Sequence, residues 1–222
     1  MTKCLIVANL KSYKNESEAK SWLEAFSEIK NLNLDLTQKE IIVCPSFTQL
    51  FSFFSYFSSN NINVRLGAQN VSPFDEGAYT GEINAKQVKD FAQYVLIGHS
   101  ERRQNFAETE DMLTKKVQIS LQYGLSPIYL VQNQADLIPQ GVQIAAYEPT
   151  SAIGSGIADT PENADAVAAQ IKNKSQNLQV LYGGSVTSGN VKSFTAKTNI
   201  DGVVVGGASL EAEEFIKIIQ NA

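Results

Sequence analysis

The chain has 222 residues, 43% of them hydrophobic and 18% charged, with a formal net charge of −5. This is apolar enough for a large core and excludes a disordered chain. The acidic balance, with no Lys/Arg run to offset it, excludes nucleic acid and anionic membranes as partners. Two cysteines and one histidine leave no zinc-ligand spacing, and no stretch reaches the roughly 20 apolar residues of a membrane span.

Eight short apolar runs recur along the chain: "CLIVAN" (4–9), "EIIVCP" (40–45), "INVRLGA" (62–68), "YVLIGH" (94–99), "SPIYLV" (126–131), "VQIAAYE" (142–148), "LQVLYGG" (178–184) and "DGVVVGG" (201–207). The first, in "MTKCLIVANLK", is too short an apolar segment for a signal peptide, so a cytoplasmic protein is expected. Cys4 and Cys44 each sit inside a run and read as small core residues of a reduced protein. Most runs lack the polar alternation of a strand with one wet face, so they read as buried parallel strands.

Helical patterns lie between the runs. Trp22, Phe26 and Ile29 form one stripe and Leu113, Val117 and Leu121 another. In "PENADAVAAQIK", Ala164, Val167, Ala168 and Ile171 follow helical spacing, with Thr160 as N-cap and Pro161 as first helical residue. Strand then helix, eight times without a dividing linker, predicts one α/β domain over residues 1–222. Its architecture is a closed, parallel, eight-stranded (β/α)8 barrel rather than a doubly wound sheet. The connection "QNQADLIPQG" (132–141) is near the minimum of about a dozen residues for a parallel crossover, so the fifth outer helix is predicted to be reduced or missing.

In such a barrel the chemistry gathers at the C-terminal ends of the strands. Asn9 and Lys11 follow the first run, His99 the fourth, Glu148 the sixth, Ser185 the seventh, and Gly206 and Gly207 the eighth. A glycine pair serves a tight strand-to-helix turn. Two such pairs in neighbouring loops also offer close backbone amides to an anion, which points to a phosphate site. His99 precedes "SERR", a helix start whose N–H groups favour a neutral ring that can polarise a carbonyl. Lys11 supplies a cation opposite the phosphate pocket, with Glu101 as a helix cap or its ion-pair partner. Glu148 precedes Pro149, Thr150 and Ser151, an apolar tip at Ala152 and Ile153, and Gly154-Ser155-Gly156. That is the pattern of a hinged lid that would dry a carboxylate and raise its basicity.

The motifs "VANLK", "GAQNVSPFDEGAYTGE", "GHSERR", "AYEPTSAIGSG", "LYGGSV" and "DGVVVGGASL" follow in order, and the chain resembles the triosephosphate isomerase family nearly end to end. The resemblance implies a TIM barrel that acts in glycolysis and gluconeogenesis without metal or organic cofactor. Glu148 would carry a proton between two substrate carbons and His99 would polarise the carbonyl. Asn9 and Lys11 would stabilise the enediolate, with Glu101 in support, and Gly154, Ser185, Gly206 and Gly207 would grip the phosphate. It also implies a homodimer joined through residues 69–82, with Thr80 near the partner's pocket; the alternative is a loop folded back on its own barrel. Leu10 and Ser151 stand where the family commonly has tryptophan, and Leu130-Val131-Gln132-Asn133 replaces its usual Cys-Val-Gly-Glu. Another phosphate-binding barrel enzyme would need a metal cluster or an interior Schiff-base lysine, and an inactive scaffold would carry damage at Lys11, His99 or Glu148; neither is apparent.

Overall fold

The computed structural model describes residues 3–32, 36–149 and 157–222. Eight strands follow in chain order, all but β5 and β6 separated by helix: β1 (Cys4–Asn9), β2 (Lys39–Cys44), β3 (Arg65–Ala68), β4 (Tyr94–Ile97), β5 (Ser126–Val131), β6 (Ile144–Tyr147), β7 (Gln179–Tyr182) and β8 (Gly202–Val205). All neighbours pair in parallel, and β1 pairs with both β2 and β8, so the sheet closes into the expected barrel.

Both faces of the sheet are covered, which is why the runs are uniformly apolar. Leu5, Val7, Ile42, Leu96, Ile128, Leu130, Leu181 and Val204 form one cluster of strand side chains, inside the barrel. The alternate residues, such as Ile6, Ala8, Val43, Val95 and Ile97, pack outward against the helices. Each fully buried aliphatic side chain of this kind stabilises the fold by about 1.5–3 kcal/mol. Closure depends on Gly202, whose φ is +153° and whose added Cβ would lie 2.0 Å from the Leu5 carbonyl oxygen. Only glycine lets β8 approach β1 in this way.

The outer ring consists of α1 (Glu16–Phe26), α2 (Phe47–Ser59), α3 (Ala85–Lys89), α4 (Ser100–Asn105), α5 (Glu110–Gln122), α6 (Pro161–Lys172), α7 (Val191–Thr195) and α8 (Ala212–Asn221). Local chemistry sets several starts. Asn15 and Glu18 form a reciprocal capping box on α1, and Thr160 accepts from the Asn163 N–H on α6, with Pro161 in the first turn. Trp22, Phe26 and Ile29, and the four apolar residues of α6, are buried as their spacing predicts.

No helix lies between β5 and β6; residues 132–143 form turns and extended chain, as the short connection predicts. The ring is also thin at α3 and α7, each five residues long, which the sequence did not announce. Three expectations need correction. The third strand begins at Arg65, not at residue 62. Asn61, with φ +52°, turns the chain out of α2, and the Ile62 N–H donates back to Phe57 O, which uses that amide as a helix cap. Leu121 is 37% exposed instead of buried, since its flank of α5 faces the side where the fifth helix is absent. Cys4 is only half-buried, while Cys44 is fully buried as predicted.

Candidate active site

A cavity of ≈400 Å³ opens at the C-terminal ends of the strands, and Asn9, Lys11, His99, Glu148, Ser185, Gly206 and Gly207 all line it. The sequence placed these residues at five different strand ends, and barrel closure alone brings them to one mouth. Glu101 lies beside the cavity, where its Oε1 accepts from Lys11 Nζ at 2.6 Å. A groove of similar size, ≈420 Å³, runs from Phe57 to Phe91 around the start of β3, but its polar groups are Arg65, amides and one hydroxyl, with no acid–base pair.

His99 is the N-cap of α4, and its Nδ1 accepts from the Glu101 N–H at 3.2 Å. A nitrogen that accepts an amide hydrogen carries none of its own, so the ring proton sits on Nε2. Nε2 lies 3.2 Å from Glu148 Oε1. The other carboxylate oxygen, Oε2, faces the Ser100 N–H at 3.4 Å. Glu148 itself is buried. Burial pushes its carboxyl above the ordinary carboxylate value; the His99 ring, the Ser100 amide and Lys11 pull down without overcoming it. The carboxylate is therefore a stronger base than one in water.

The neighbours of this pair are tightly held. An added Cβ on Gly183 would lie 3.1 Å from Glu148 Cγ, so glycine there leaves room for the carboxylate stem. Lys11 adopts φ +51°, in the left-handed region; its N–H bonds to Asn9 Oδ1 at 3.1 Å, and its carbonyl accepts from Gln69 Nε2 at 2.9 Å. Such a conformation in a lysine is costly and persists because both backbone groups are bonded. Gly206 lies against the lysine stem, where an added Cβ would meet Lys11 Cε at 3.2 Å. Ser185 also takes a positive φ, 49°, at the turn after β7.

Several contributors had no signal in the sequence. Arg103 bonds Gly98 O at 2.8 Å and Leu130 O at 3.3 Å, tying the turn before His99 to β5. Lys116, in the layer between helices and strands, bonds Glu108 and Asn70, and Glu108 accepts from Arg102 Nε at 2.5 Å. Lys116 is almost fully buried, yet it lies outside the barrel interior, so it does not supply the mouth lysine that a Schiff-base enzyme needs. Ser151 and Gly154, the expected lid hinge and phosphate amide, lie outside the described residues.

Comparison with known proteins identifies the family. The family model described as triosephosphate isomerase matches residues 4–143 and 131–222, and the shared part, 131–143, is the connection that lacks a helix. Relatives named triosephosphate isomerase include those of Dictyoglomus turgidum, 37% identical with 100% of both chains covered, and Trichodesmium erythraeum, 38% identical with 99% of both covered. The first alignment runs over 254 positions, more than this chain's 222 residues, so the relative carries residues that are lacking here. A crystal structure of triosephosphate isomerase from Bartonella henselae superposes with a TM-score of 0.83 at 27% identity, covering 97% of each chain. With matches over its whole length and relatives well above 30% identity, this chain belongs to the triosephosphate isomerase family.

Proposed function

We propose that the chain interconverts dihydroxyacetone phosphate and D-glyceraldehyde 3-phosphate through an enediolate. Glu148 takes the proton from the carbon beside the carbonyl, and the electron pair of that C–H bond moves onto the carbonyl oxygen. His99 Nε2–H donates to this oxygen, and Lys11 and Asn9 stabilise the charge that develops there. His99 gives its Nε2 proton to this oxygen and takes the hydroxyl proton of the neighbouring one, and Glu148 then returns its proton to the carbon that bore the carbonyl, so that the new carbonyl forms on the other carbon. Glu101 supports Lys11 through their ion pair. The amides of Ser185, Gly206 and Gly207, with Gly154 of the lid, hold the phosphate dianion. The reaction uses no metal or organic cofactor.

The observation that carries this reading is the contact of His99 Nε2 with Glu148 Oε1 at 3.2 Å, with Nδ1 already occupied by the Glu101 amide. A buried carboxylate of raised basicity beside a neutral ring donor is what proton transfer next to a carbonyl requires. A coupled assay with purified protein and EDTA tests it. Turnover of glyceraldehyde 3-phosphate is expected, and none would end the proposal.

The reading includes a homodimer joined through residues 69–82, with Thr80 directed to the partner's pocket. It is supported by Phe74 and Tyr79, which stack at 4.4 Å while 44% and 45% exposed, and by the fact that no residue of this segment lines its own mouth. The reading also places the protein in the cytoplasm; among the described residues no helix is long and apolar enough to cross a membrane.

A further inference from the structure

We infer that Trp22, on α1 and outside the mouth, is a positioning residue for the phosphate-holding turn. The inference rests on the proposed phosphate role of Gly206 and Gly207. The chain has one tryptophan, and its indole Nε1–H donates to the Ser209 carbonyl at 3.0 Å in a buried contact. Ser209 belongs to the 3-10 turn Gly207–Leu210 that follows β8. Its N–H and its Oγ–H both donate to the Gly206 carbonyl, at 2.9 and 2.7 Å. The carbonyl of Gly206 and the N–H of Gly207 share one peptide plane and point in opposite directions. Two bonds that fix the carbonyl therefore fix where the Gly207 amide points. Gly207 lines the cavity, and a Cβ added to it would meet nothing within 4 Å, so its backbone stands open to a ligand.

The far end of this chain of bonds is rigid. The Trp22 ring stacks on Phe26 at 4.8 Å with 12° between planes, and Phe53 packs at 5.5 Å. α1 thus holds the turn after β8 through one hydrogen bond. Ser209 is fully buried, so without the indole N–H its carbonyl loses a partner that water does not readily replace. The turn must then shift to find another donor, and the Gly207 amide shifts with it.

The test separates phosphate grip from general damage. Trp22→Phe keeps the ring stack and removes the N–H. The KM for glyceraldehyde 3-phosphate and the inhibition constant for inorganic phosphate should rise together, roughly three- to tenfold, as expected for a lost neutral hydrogen bond. Turnover number, and kcat/KM for glyceraldehyde without its phosphate, should stay within about twofold of the native values. Unchanged phosphate constants, or an equal loss on both substrates, would overturn the inference. Should the variant fail to fold, the native protein still decides. Its single indole N–H resonance should move as inorganic phosphate is titrated in at constant ionic strength, and no movement at saturation overturns the inference. A native protein that isomerises but whose indole resonance stays still sinks this inference alone. One whose resonance moves without any turnover sinks the isomerase reading and supports the anchored phosphate turn.

Discussion

Glu148 combines burial with the proposed role of a base, which requires its charge, and the two conflict. A carboxyl whose proton affinity rises on folding holds that proton longer in the native state than in the unfolded chain. Below the ordinary value of 4.5 both states are protonated and nothing is lost. As pH rises from there through the raised native value, the unfolded chain releases its proton first and stability falls. Above that window the native protein carries a buried charge at a cost. Glu148→Gln removes the cost and keeps the shape, so at about pH 7 its melting temperature should exceed that of the native protein, with the gap closing toward about pH 4. The same change should lower turnover by about 10²- to 10⁴-fold, the usual contribution of a positioned base, with KM little altered. Calorimetry at the two pH values and the coupled assay measure both. A loss under tenfold would place the base elsewhere.

At the scale of elements, the segment 69–82 is the one proposed to act outside its own barrel. The Ser72 N–H bonds Ile83 O at its base, and Tyr123 Oη to Asp75 and Lys86 to Glu76 fasten it further out. Its tip offers two large stacked rings to water. Exposed apolar surface on an anchored loop fits a partner contact. The native chain should therefore sediment with the mass of two copies, and Phe74→Glu combined with Tyr79→Glu should sediment as one. A double variant that remains dimeric would place the interface elsewhere. The strands were legible because burial on both faces leaves a plain apolar run, and Asn9, Lys11, His99 and Glu148 were legible because a parallel barrel gathers strand ends. The bond from Trp22 to Ser209 was not, since it joins residues 187 positions apart and serves no periodicity. Lys116 was not either: a lysine within a helical stripe reads as solvated, and only its contacts with Glu108 and Asn70 make burial tolerable. The start of β3 was misplaced because Ile62 and Val64 look like strand residues, while the hydrogen bond that claims Ile62 belongs to the end of α2.

For the whole molecule, the barrel closes fully although one outer helix is missing and two others are a turn or so long. The strand ladder and the two apolar layers carry the closure, and the helices need only cover the outer layer. Where the fifth helix would lie, the chain is stapled by short bonds instead: Asp136 accepts from the Gln132 N–H at 2.6 Å, and Lys174 reaches the Asp136 carbonyl. Leu137, just beyond, is 76% exposed. This gap invites cleavage, because an exposed tip without helical hydrogen bonds fits a protease cleft. A single nick beside Leu137 would separate the piece bearing Lys11 and His99 from the piece bearing Glu148. The ladder between β5 and β6, together with the seam of β8 on β1, would keep the two halves together. The clipped protein should run as two bands on a denaturing gel, elute from gel filtration as one species, and retain turnover, whereas neither fragment produced alone should have any. The missing helix thus makes this protein a natural candidate for fragment complementation, with its proposed acid–base pair divided between the parts.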